Sequence, residues 1–159
     1  MLEFQNVSHV YGINTPFEKA AVDDVSFKIP QGKVTGIIGH TGSGKSTLCL
    51  MMNGLLKPTS GKILFHGKDI HEKGTNLRDL RFKIGLVFQY PEYQLFEETV
   101  EKDIAYGPRN MGLSEEDIKE RILYAAHFTG ISDEILSKSP FELSGGQKQL
   151  LSLASVMAM

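Results

Sequence analysis

Gly39-His40-Thr41-Gly42-Ser43-Gly44-Lys45-Ser46-Thr47 is the segment whose residue types could do the most chemistry. It fits the pattern G-x-x-x-x-G-K-[ST]. A polyphosphate needs many hydrogen-bond donors close together. Backbone N–H groups supply them only where side chains stay out of the way. Gly42 and Gly44 leave that room and accept positive φ. A helix beginning at Lys45 would present its positive dipole end, roughly half a charge, to the phosphates. Lys45 would bridge the β and γ phosphates, and the Ser46 hydroxyl would hold Mg²⁺. The rival dinucleotide fingerprint G-x-G-x-x-G fails, because Thr47 stands where its third glycine belongs.

A second segment, Leu143-Ser144-Gly145-Gly146-Gln147, has related logic. Ser144 is a good helix N-cap, and the two glycines bare backbone N–H groups in the first turn. A double glycine costs a helix about 1–2 kcal/mol, which points to a use for the exposed backbone.

The elements that position these segments follow from pattern. Leu2 to Val7 and Ala21 to Ile29 alternate as strands, with Gly12, Asn14 and Pro16 between them. Val34 to Ile38 reads as a short buried strand leading into the glycine-rich loop. A helix from about Lys45 to Asn53 follows, ended by Gly54 and Pro58. Lys62 to Phe65 is a further strand. Ile84 to Phe88 is apolar throughout, the pattern of a strand covered on both faces. Helix then takes over: Thr99 to Tyr106, a stretch after the capping box at Ser114, and a last helix from Ser144. The predicted organisation is a strand-rich part with the phosphate loop (1–89), a mostly helical part (90–143) and a final helix (144–159), an α/β architecture. The run Leu150 to Met159 has no charge and no cap, so it predicts a helix buried all round and a chain cut short.

Composition fits an ordinary globular domain: 159 residues, 41% hydrophobic and 23% charged. No apolar run approaches the ~20 residues of a membrane span, and Met1-Leu2-Glu3-Phe4 lacks the pattern of a signal peptide. A net charge of −2 implies no basic face for nucleic acid. Cys49, the single cysteine, excludes an internal disulfide. His9, His40, His66, His71 and His127 show no metal-ligand spacing. Asp23 and Asp24 follow an apolar run, but they precede the phosphate loop and read as solvated or turn-forming.

A phosphate loop followed about a hundred residues later by Leu143-Ser144-Gly145-Gly146-Gln147 resembles the ATP-binding-cassette (ABC) ATPases. The resemblance covers essentially the whole chain. It implies a P-loop NTPase fold, ATP and Mg²⁺ as ligands, and residues 39–47 around the phosphates. Gln89 would be the glutamine that reaches the metal and the attacking water, acting with Lys45 in catalysis. Tyr11 would stack on adenine. Ser144, Gly145, Gly146 and Gln147 would complete the partner subunit's ATP site. Within the family, Thr15 to Lys19 and Phe88 to Val100 look like energy-coupling factor (ECF) transporter ATPases. That resemblance implies a second ATPase subunit, a transmembrane coupling subunit and a substrate-binding membrane subunit. It also implies a peripheral position on the cytoplasmic face of a bacterial cell membrane. Tyr90, Tyr93, Leu95 and Phe96 would line a groove for a partner's coupling helix, with the helical core as the alternative for Leu95 and Phe96.

The family's Asp-Glu motif, Walker B, which orients the attacking water, is expected shortly after Met159. Leu150 stands where the family often has arginine. Two alternatives stay open on the sequence alone: a nucleotide-dependent binding module that does not hydrolyse ATP, and a soluble ABC ATPase.

Overall fold

The computed structural model describes all 159 residues, which divide into two compact units, Met1–Ile84 and Gly85–Met159.

The first unit is built on a four-stranded antiparallel sheet in the order β2-β1-β3-β4. The strands are β1 (Leu2–Tyr11), β2 (Lys19–Ile29), β3 (Ser60–Phe65) and β4 (Lys68–Asp69). Along β1 the inward parity changes partway. Leu2 and Phe4 point to the core, then Val7 and His9 do. Asn6, at φ 49°, is the extra residue of a bulge that shifts the register by one and turns the other set of side chains inward. Gly61 lies against that bulge at φ 81°, and a Cβ there would meet the Asn6 carbonyl oxygen at 2.2 Å. Only glycine fits.

Phe4 stacks on Phe27 with centroids 4.5 Å apart. Met51, from helix α1 (Lys45–Met52), packs with Phe4, Val7 and Ile63. Leu80, from the short helix α2 (Leu77–Arg81), closes the same core.

The second unit is helical. It comprises α3 (Val100–Asn110), α4 (Glu115–Thr129), the single turn α5 (Asp133–Leu136) and α6 (Gly145–Met157). Val100 and Ile104 of α3, Ile118, Ile122 and Ala125 of α4, and Leu151 and Ala154 of α6 share one core. Small residues on α4 and α6 let the helices approach closely. Ser114 caps α4 by accepting from the Asp117 N–H at 3.2 Å, and Gly130 ends it at φ 74°.

Four expectations need correction. Val34 to Ile38 forms no strand: the segment joins no ladder, and Val34 and Ile38 are exposed. Ile84 to Phe88 likewise joins no ladder and is only half-buried over most of its length. Apolar β-branched sequence favours extension, but a strand requires neighbours for its N–H and C=O groups. The four antiparallel strands pair only among themselves. The last helix is not buried all round. Leu151, Ser152 and Ala154 are buried while Leu150 and Leu153 remain exposed, so α6 buries one face in the helical core. The predicted helix from Thr99 to Tyr106 also runs on to Asn110 through Pro108. Pro108 has no N–H to give the Ile104 carbonyl, so the last turn goes without that bond.

Candidate nucleotide site

In the first unit a cavity of about 230 Å³ is lined by Tyr11, Lys19 and Ala21 from the β1–β2 pair and by Gly42, Gly44, Lys45, Ser46 and Thr47. Its walls carry two ammonium groups and no carboxylate, so they favour an anion. Gly42 and Gly44 have φ of 83° and 85°. At Gly44 a Cβ would meet the Ala21 carbonyl oxygen at 2.3 Å, so the loop's fit against β2 depends on that glycine.

Helix α1 begins at Lys45 with no side-chain cap and no acidic residue in its first turn. Its first intrahelical bond runs from the Leu48 N–H to Gly44 O. The N–H groups of Lys45, Ser46 and Thr47 therefore have no acceptor within the helix. That is a cluster of donors at a positive helix end. The Lys45 ammonium folds back over the loop, donating to Gly39 O and His40 O at 2.8 Å each, with Ser43 Oγ at 3.5 Å. The Ser43 N–H closes a turn on His40 O at 3.2 Å. His40 turns its ring onto its neighbour, Nδ1 lying 2.8 Å from Thr41 O. Ser46 also lines the cavity, and its hydroxyl is an oxygen of the kind a hard cation takes.

Tyr11 stands at the end of β1, 41% exposed. Its hydroxyl is 3.3 Å from Thr47 Oγ1, and its ring meets that of His9 edge-on at 4.5 Å. Two contacts thus orient the ring while leaving part of it open for a flat ligand. Lys19, paired with Tyr11 in the ladder, is a cavity residue that the loop motif does not reveal. Only the antiparallel register brings it there. Asp23 and Asp24 are exposed, and Asp24 sits at φ 45° accepting from Asn6 Nδ2.

Gln89 and Ser144–Gln147 belong to the second unit. Gln89 is exposed in the loop before the 3-10 turn Pro91–Tyr93. Ser144 and Gln147 form a reciprocal capping box: the Gln147 N–H donates to Ser144 Oγ at 3.3 Å, and the Ser144 N–H donates to Gln147 Oε1 at 3.0 Å. Gly145 and Gly146 are exposed, with open space where a Cβ would project. Tyr90 and Tyr93 are exposed and meet edge-on, as do Phe96 and Tyr106. Leu95 belongs to the core. Asp103 is buried, accepts from the Phe96 N–H at 3.4 Å, and has its other oxygen unpartnered. Burial pushes its carboxyl above the usual aspartate range against those backbone bonds. No helix is long and apolar enough to cross a membrane.

The strand pair, the glycine-rich loop and the uncapped helix define a P-loop nucleotide-binding domain. The family model described as ABC transporter matches residues 22–159. The chain belongs to the ABC transporter family.

It is 56% identical over 158 residues to the energy-coupling factor transporter ATP-binding protein EcfA2 of Caldanaerobacter subterraneus subsp. tengcongensis, covering 99% of this chain and 55% of that relative. It is 55% identical to the EcfA2 of Clostridium acetobutylicum over 159 residues, 99% of this chain and 56% of the relative. The chain thus spans about half the length of the curated relatives it matches. Among solved structures it is similar to CbiO1 of Clostridium perfringens, part of the ABC transporter complex CbiONQ. The TM-score is 0.84 at 38% identity, over 99% of this chain and 61% of that one. The ATP-binding cassette MJ0796, solved as a dimer bound to ADP and Pi, gives a TM-score of 0.86 at 25% identity, over 99% and 69%.

Proposed function

We propose that this chain is the nucleotide-binding part of an ATPase subunit of an ECF importer. The observation that carries the reading is the cavity in which Lys45 and the uncapped start of α1 lie together with Tyr11. The relatives named as ECF transporter ATP-binding proteins give it its transport context.

Bound ATP draws Lys45 off the carbonyls of Gly39 and His40 and onto the β and γ phosphates. The N–H groups of the loop and of the first turn of α1 then donate to phosphate oxygens, and Tyr11 stacks on adenine. Ser46 would hold Mg²⁺, which would neutralise phosphate charge. Gln89 orients water for attack, while Lys45 stabilises charge on the transferred group.

Ser144, Gly145, Gly146 and Gln147 serve the ATP of a second, related ATPase subunit. The assembly is a heterodimer docked on a transmembrane coupling subunit and a substrate-binding membrane subunit. It lies on the cytoplasmic face of the bacterial cell membrane and moves a vitamin or metal ion. The exposed Tyr90, Tyr93 and Phe96 supply an apolar surface for the membrane subunit.

The test is calorimetry of ATP binding to the purified protein together with ATPase assay of the assembled transporter. Binding and turnover both lost in Lys45→Ala support the reading. ATP affinity unchanged by Lys45→Ala overturns it. Binding without turnover in the assembled parent protein favours a module that binds without hydrolysing.

A further inference from the structure

Gln94 lies between Gln89 and α3, and the phosphate chemistry gives it no part. Its side chain nevertheless makes two bonds within the second unit. The Phe88 N–H donates to Oε1 at 3.4 Å, and Nε2 donates to the Ser152 carbonyl at 3.2 Å. The first bond holds the Val87–Phe88 peptide, one residue before Gln89. The second reaches 58 residues along the chain to the middle of α6. A carbonyl has two lone pairs, so Ser152 O can take this donor in addition to its own helical bond.

The contact is not isolated. Gly85 runs so close to α6 that a Cβ there would meet Val156 Cγ1 at 2.2 Å. Gly85 thus abuts α6 at Val156, and Gln94 links the Phe88 N–H to Ser152, one turn earlier on the same helix. Ser144 starts the same helix eight residues before Ser152, about 12 Å away at ~1.5 Å per residue.

We propose that Gln94 is a positioning residue that locks the Gln89 loop to α6, so that Gln89 and Ser144 move as one body. The inference rests on the reading that both residues serve nucleotide. An amide suits the place because one atom must accept while the other donates. Leucine fills similar space and does neither. A carboxylate accepts from Phe88 but sets a lone pair against the Ser152 carbonyl. A protonated carboxyl regains both bonds, and partial burial opposite a carbonyl oxygen raises the pH at which it protonates.

The experiment measures kcat, KM and ATP affinity of the assembled transporter carrying Gln94→Leu, Gln94→Glu or Gln89→Ala. The expected result for Gln94→Leu is a kcat lower by about tenfold or more at every pH, with KM and ATP affinity within about twofold. Gln94→Glu should be equally slow near pH 8 and recover several-fold relative to the parent by about pH 6. Parent-like kcat in Gln94→Leu, beside a loss in Gln89→Ala, overturns the inference and leaves the site reading standing. Equal losses in both Gln94 variants without recovery at low pH, accompanied by a lower unfolding temperature, also overturn it, because packing alone then explains them. No loss in Gln89→Ala overturns the site reading and this inference with it.

Discussion

Two helices in this molecule begin with exposed backbone donors, and they treat those donors differently. Helix α1 starts after Gly44 with no side-chain cap, so three N–H groups of its first turn lack acceptors. Helix α6 starts after Ser144 with both halves of a capping box in place. Neither has an acidic residue in its first turn, so both positive ends are uncompensated by charge. The difference lies in self-sufficiency. At α1 the N–H donors have no acceptor and the Lys45 ammonium is served only by the loop's Gly39 O, His40 O and Ser43 Oγ, and an anion improves on that. At α6 the Gln147 N–H is already satisfied, and the N–H groups of the exposed Gly145 and Gly146 have no acceptor within the helix. One start leaves its donors open at some local cost; the other is capped and self-sufficient.

If that contrast is right, function and stability should separate between the two sites. The largest effect belongs to Lys45→Ala, expected to weaken ATP binding about a hundredfold, or about 2.8 kcal/mol, by calorimetry. Its thermal unfolding should barely move, since the side chain bonds only an exposed loop. A large drop in unfolding temperature would make Lys45 structural and break the comparison.

Tyr11→Ala should come next, weakening ATP and ADP alike by about 1–3 kcal/mol, the worth of one base–aromatic stack. Tripolyphosphate affinity, measured in the same way, should not change. Equal losses for the base-free ligand would place Tyr11 away from adenine.

Ser144→Ala tests the capped end and should behave in reverse. Losing the cap is expected to cost about 1 kcal/mol of stability in denaturant unfolding, while ATP affinity of the isolated subunit stays within error. Ser144→Arg should leave that affinity intact as well but abolish turnover in the assembled dimer. Weakened ATP binding to the isolated subunit in either variant would mean that Ser144 serves its own subunit's nucleotide.

The smallest effect concerns a third helix start. Helix α3 carries Glu101 and Asp103 in its first turn, and Asp103 accepts from the Phe96 N–H, so this positive end is answered from within the chain. Burial raises the Asp103 carboxyl above its ordinary range. The folded state therefore keeps the proton to higher pH than the unfolded state does. Stability is lost as pH rises from the ordinary aspartate range through the raised value, and the desolvation cost persists above it. Asp103→Asn removes that dependence. Its unfolding temperature relative to the parent should climb as pH rises through the carboxylate range and level off above it. A difference independent of pH would mean that Asp103 titrates alike in both states.

Much of the local structure was legible because it depends on near neighbours. The N-caps at Ser114 and Ser144 and the helix start at Lys45 each depend on residues within one turn. The hairpin strands were legible from alternation, although β1 runs on to Tyr11 because the bulge at Asn6 restores an inward face that simple alternation loses. Val34 to Ile38 and Ile84 to Phe88 were misread because their apolar patterns describe a buried environment, whereas a ladder also requires partners. The one-sided burial of α6 was missed for a related reason. An uncharged run cannot show which of its faces a neighbouring helix will cover.

At the candidate site the division is similar. The order Gly39 to Thr47 by itself determined a phosphate loop, because donor density, positive φ and a following helix are properties of consecutive residues. That Tyr11 and Lys19 stand at the same cavity was decided by the antiparallel register of β1 and β2, which pairs them across the turn. That Gln94 ties the Phe88 peptide to Ser152 was decided by helix packing 58 residues away. Short-range steric and hydrogen-bonding rules act along the chain and can be read there. Contacts between distant segments depend on which surfaces meet, and only the folded chain brings those together.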